Sequence, residues 1–242
     1  MVEMDRTVAV TVGYRLSGGR LLEQASATRR AALGDLDALR WEGLLREADI
    51  LNLDALVDVV HASLQDRSIA DADARASASE QGSALHELTS DCTRLGHCVR
   101  RVFRHRSELS RFPQGSFNED NVSALCSDLN GKLAFAREHE TELAQVGINR
   151  EYLTKVQARV RALEESARLE GAALASLASS VRSYCENKGR LYFAINDIND
   201  AGQALHAADF EAAAKYNLQA LYRTAKSKPA EVAMTTPAPV TR

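Results

Sequence analysis

The stretch NREYLTKVQARVRALEESARLEGAALASLASSVRSYCENKGRLYFAINDINDAGQALHA, Asn149 to Ala207, decides the fold. Within it Leu153, Val156, Val160, Leu163, Ala167, Glu170, Leu174, Leu177, Val181, Tyr184, Lys188, Leu191, Ile195, Ile198, Gly202 and Leu205 alternate at spacings of three and four. Thirteen of the sixteen are apolar or Tyr, where a composition that is 45% hydrophobic predicts about seven. The phase never slips, so the spacing predicts one helix with Asn149 as N-cap and Glu151 in the first turn. At 1.5 Å per residue it would be ~87 Å long. Asn187-Lys188-Gly189 is its weak point, where a kink would fall.

The same spacing recurs upstream. One seam runs from Leu22 to Leu64, a second from Ala74 to Leu109, and a shorter one from Val122 to Leu143. The joints are expected at Asp66 to Ala70, Phe112 to Asn118, and Gln145 to Asn149, and short joints force antiparallel neighbours. The expected fold is all-α: an elongated antiparallel bundle of four long helices with coiled-coil-like seams. A short C-terminal helix from Phe210 folds back as a hairpin. Residues 1–18 are ambiguous, with a helix or loose packing on the bundle favoured because a lone strand would have no partner; 19–225 are expected to form one bundle domain. The tail 226–242 is rich in Pro, Thr and Ala and is expected to be disordered.

Composition excludes other classes. The chain has 242 residues, 5% aromatic, with four Pro, three of them in the tail. Ala and Leu together supply about 28% against roughly a sixth in an average protein. A β-sandwich would need more β-branched residues and turns. The net charge of −3 gives no global pull toward nucleic acid or anionic membranes. Cys92, Cys98, Cys126 and Cys185 form no C-x-x-C pair, which suits reduced thiols and a cytoplasmic location. No run approaches the ~20 apolar residues of a membrane span.

Two stretches resemble known families. Asp209 to Leu221 resembles the second helix of a tetratricopeptide repeat, with Asn217 where that motif has a bulky residue. With no second copy to stack on, no repeat array is expected. The layout of long helices is similar to membrane-bending BAR-type bundles, a likeness of fold alone.

Charge is unevenly laid out. Arg94 to Arg111 holds six Arg plus His97 and His105 against one acid, Glu108, whereas Asp35 to Asp91 holds thirteen acids and four Arg. With Leu85 at heptad position a, Arg94 and Arg101 fall at c, Arg100 at b, and His97, Arg104 and Arg111 at f, all outside the seam. Arg94, His97, Arg100, Arg101, Arg104 and Arg111 are therefore a candidate anion-binding stripe; the alternative is a solvated face paired with a neighbouring helix.

A second candidate is the polar and aromatic patch of Tyr192, Phe193, Asn196, Asn199, Asp200, Tyr216 and Asn217. Its Asn196–Gly202 run lacks the closing Glu of a calcium loop, so hydrogen bonding to the last helix is the expected role. Trp41, at f if Leu36 is a, is a candidate interface anchor, or else packs under the N-terminal or last helix. Metal spacing fails: Asp58-Val-Val-His61 stands alone where di-iron bundles need two such motifs. No nucleophile elbow or phosphate loop occurs, and no catalytic, cofactor or metal residue is assigned.

These features lead to an expectation of a non-enzymatic scaffolding or protein-interaction bundle that self-associates, because the longest helix outruns the one before it. No small-molecule substrate or cofactor is implied. The alternative is a module for an anionic surface, whether acidic membrane, nucleic acid or acidic protein, bound through the Arg94–Arg111 stripe.

Overall fold

The computed structural model describes residues 5–113 and 122–222. The expected tail 226–242 and most of the expected Phe112–Asn118 joint lie outside these residues. Every regular element among them is a helix, and the fold is an all-α bundle. The helices are α1 (Arg6–Arg15), α2 (Gly18–Gly34), α3 (Leu36–Trp41), α4 (Glu47–Phe103), α5 (Val122–Glu138), α6 (Glu140–Ala144), α7 (Arg150–Leu205), α8 (Phe210–Ala213) and α9 (Gln219–Tyr222). Short 3-10 turns stand at Ser107–Arg111 and Ala214–Tyr216.

Helix α7 is the expected long helix, and Asn149 caps it by accepting from the Tyr152 amide at 2.9 Å. It runs unbroken through Asn187-Lys188-Gly189. Residues 6–15 are helical, and Asp5 caps them through the Thr7 amide.

The upstream boundaries differ from the expected ones. No joint exists at Asp66–Ala70; α4 continues through it for 57 residues in all. Residues 66–70 contain no Gly or Pro, so nothing there stops a helix. The break falls earlier, at Glu42–Arg46. There Gly43 adopts φ +68 and the Leu44 and Leu45 amides close back onto the Leu39 carbonyl, a glycine-terminated helix end. Asp49 then accepts from the Arg46 amide at 2.9 Å and starts α4.

The chain divides into two compact units, and both long helices contribute to each. The first unit comprises residues up to Asp58 and from Lys188 onward. The α2–α3 segment runs antiparallel to the start of α4, since Arg29 pairs with Asp54 at 2.6 Å and Arg40 with Glu47 at 3.6 Å. The α1 backbone lies directly on α7 at Gly189, where a Cβ would stand 2.0 Å from the Ala9 carbonyl oxygen. Lys188, a seam position, donates to the Leu16 carbonyl just past the α1 end at 2.8 Å.

The second unit, Val59–Asn187, packs the last turns of α4 against α5, α6 and the first half of α7. Its core is mostly aliphatic, with Leu88, Leu95, Leu129, Leu133, Leu153 and Val160 fully enclosed. One aromatic group joins them: Phe103 meets Phe135 and His139 edge-on at 5.7 and 4.9 Å. Numbers run oppositely across α4 and α7, since Asp91 meets Arg159 while Arg67 covers Tyr184. The two helices are therefore antiparallel in this unit.

Candidate functional site

In the first unit, polar residues form two ladders. Gln24, Thr28 and Asp35 follow one face of α2 into its end, and Asn199, Gln203 and His206 follow one face of α7. Spacings of three, four and seven place each set on one stripe. Thr28 donates to Asn199 Oδ1 at 3.0 Å, and His206 Nε2 lies 2.9 Å from Asp35 Oδ2. Both partners advance by seven, so α2 and this part of α7 run parallel.

Tyr216 closes the ladders. Its ring is fully buried and rests on Gly202, while its hydroxyl is 2.9 Å from Asp35 Oδ2 and 3.0 Å from the Ala31 carbonyl. Gln203 donates to the Tyr216 carbonyl, and Gln24 donates to the Asn217 carbonyl and accepts from the Ala220 amide. The C-terminal segment is thereby clasped backbone-first to α2 and α7. One atom is left over: Asn199 Nδ2 is buried with no partner.

The electrostatics follow from this enclosure. Burial works to raise the Asp35 carboxyl, but hydrogen bonds from His206 and Tyr216 outweigh it and hold it below its ordinary 3.8. Burial, and then the Asp35 hydrogen bond, push the Tyr216 hydroxyl well above its ordinary 10.0. The signs set a pH window. A lowered carboxyl stabilises the clasp above its ordinary value and loses that contribution as pH falls through and below 3.8. A raised phenol stabilises it below its ordinary value and loses that contribution as pH climbs past 10.0. Proteolysis after His206 is expected to quicken at both extremes. Tyr216→Phe should abolish the alkaline limb and Asp35→Asn blunt the acid limb; unchanged profiles in both variants would refute the arrangement.

The expected patch is only partly one site. Asn199, Tyr216 and Asn217 join the clasp. Tyr192 and Phe193 are half-buried and meet edge-on at 5.6 Å, and the neighbouring Tyr192 raises the Tyr222 phenol above its ordinary value. Asn196 is half-buried and Asp200 is exposed. Gln24, Thr28, Asp35, Gln203 and His206 were missed, although their helical spacing was legible. Trp41 is 89% exposed, so it packs under no helix among the described residues.

In the second unit the Arg residues lie outside the seam, as their heptad positions imply. Arg94 stacks on the Tyr152 ring at 4.8 Å, and Arg111 pairs with Glu138 at 3.1 Å. His97, Arg100, Arg101 and Arg104 are exposed, with no ion pair among the described residues. A network centres on buried Asp91, which accepts from Arg159 and the Tyr152 hydroxyl, and Arg159 also reaches exposed Glu87 at 3.0 Å. Lys132, itself buried, pairs with Asp128 and lies 3.5 Å from Cys92 Sγ.

Among the described residues no group of three or more His, Cys, Asp or Glu could hold a metal, and no helix is long and apolar enough to cross a membrane. All four cysteines are free. Fold and sites together define a helical bundle with a clasped C-terminal segment and one strongly cationic helix end. No protein-family model, no curated protein and no solved structure matches the chain.

Proposed function

We infer that this protein is a non-enzymatic interaction bundle that works through helix–helix contacts and associates with itself. One observation supports this reading above others. The α7 seam continues past the place where its covering ends. Leu163 and Leu191 on that seam are fully buried, yet Leu174 between them is 51% exposed. No residue from Glu164 to Ser183 is buried. Helix α5 has 17 residues against 56 in α7, too short to cover this stretch.

Apolar side chains stay uncovered along the same stretch, with Leu169 45% and Ile69 55% exposed. Removing such side chains from water yields about 25 cal/mol per Å², and a further helix is the element whose shape fits a two-helix ridge. The reading predicts a dimer by light scattering at tens of micromolar. Ile69→Arg should weaken it by roughly tenfold or more, since it buries a charge without a partner. A strict monomer in the wild type would end this reading.

A further inference from the structure

We propose that the self-association inferred above is an antiparallel, two-fold pairing of the outer face of α4 with the same face of a second copy of this chain. The proposal rests on that reading and adds the surface, the register and the partner.

The outer face of α4 has a series of its own at alternating spacings of three and four. Asp66, Asp73, Glu80, Glu87, Arg94 and Arg101 recur every seven residues along it. Ile69, Ala76, Ser83, Ser90, His97 and Arg104 stand between them, and all twelve are exposed. A repeat of seven keeps such a line on one side of a coiled helix. Four acids therefore lead into two Arg along one stripe, and the stripe is its own electrostatic complement when reversed.

The spacing fixes the register. An antiparallel copy centred on Glu87 sets Asp73 opposite the partner's Arg101 and Glu80 opposite its Arg94. A two-fold axis gives each pair twice and closes the assembly at two chains. Near the centre, Ser83 and Ser90 stand on either side of Glu87, and these small side chains let the helices approach closely. The two Glu87 residues meet at the axis, but each is already paired with its own Arg159 at 3.0 Å. Asp73, Glu80 and Arg101 have no ion pair among the described residues, so pairing breaks no bond they hold.

Exposed ion pairs contribute ~0–1 kcal/mol each, so the stripe sets register and orientation, while Ile69 and its neighbours supply apolar contact. The association is therefore salt-sensitive. An extended polyanion fits less well, because the acids of the same stripe repel it.

The test uses charge reversal on the full chain with sedimentation velocity at low salt. Wild type is expected to be a dimer. The D73R/E80R variant, changed where no intramolecular partner is lost, should be monomeric with unchanged thermal stability. The R94E/R101E variant should be monomeric too. An equimolar mixture of the two variants should recover the dimer, because one stripe becomes wholly complementary to the other. A mixture that stays monomeric overturns the proposal. Variants that dimerise like wild type overturn the surface but leave self-association standing, whereas a monomeric wild type removes both. A monomeric wild type that binds acidic vesicles or DNA, and loses this with R94E/R101E, assigns the stripe to an anionic surface instead.

Discussion

Gly202→Ala is expected to unfasten the C-terminal segment. A Cβ at this position would stand 2.2, 2.3 and 2.4 Å from three atoms of the Tyr216 ring. Those separations are far inside van der Waals contact, so either α7 or the ring must move. The ring is pinned at its far end, since its hydroxyl bonds to Asp35 and Ala31. Expelling a fully buried aromatic costs about 3–5 kcal/mol, whereas Ala in place of Gly returns only ~1 kcal/mol of helix propensity. The expected readouts are faster proteolysis after His206 and a lower denaturation midpoint. Tyr216→Phe keeps the ring and loses only hydrogen bonds, so its cost should be smaller, about 1–2 kcal/mol. Equal stability of Gly202→Ala and wild type would show that Tyr216 does not rest on this helix face.

Phe103→Ala should have the largest effect in the second unit. Phe103 is fully buried at the end of α4 and is met by Phe135 and His139. Removing the ring leaves a cavity lined by side chains from α4, α5 and the residue joining α5 to α6, none free to collapse without moving a helix. Loss of about 3–5 kcal/mol is expected from chemical denaturation. Phe210→Ala is the matched control. Phe210 is 90% exposed, and a surface change of this kind stays within ~0.5 kcal/mol. Similar losses for both would contradict the burial pattern.

The fold class was legible because an alternating three-and-four series is a local property of the chain. Leu153 through Leu205 needed no knowledge of any partner to be read as one helix. The break at Glu42–Arg46 was not read, because Gly43 sits in phase with the seam and only its positive φ ends the helix. The expected joint at Asp66–Ala70 fell between the seams ending at Leu64 and beginning at Ala74, and with no Gly or Pro there the helix continues through it.

The candidate patch was half legible for a related reason. Asn199, Tyr216 and Asn217 stood out as polar or aromatic residues in an apolar hairpin. Gln24, Thr28 and Asp35 looked like ordinary surface positions, since they meet Asn217, Asn199 and Tyr216 in turn across 171 to 193 residues of chain. Lys188 looked like a flaw in the seam until the Leu16 carbonyl, 172 residues away, gave its ammonium a partner.

By itself the sequence determined that the chain is helical, how long α7 is, where it begins, and that acid and base are segregated along α4. Periodicity and capping act over a few residues, so they are written in local order. Only the tertiary structure decided which polar residues meet at the clasp, which glycines lie under another element, and which part of the α7 seam is left uncovered. Those outcomes depend on which helices lie side by side, and side-chain spacing along one helix does not specify its neighbour.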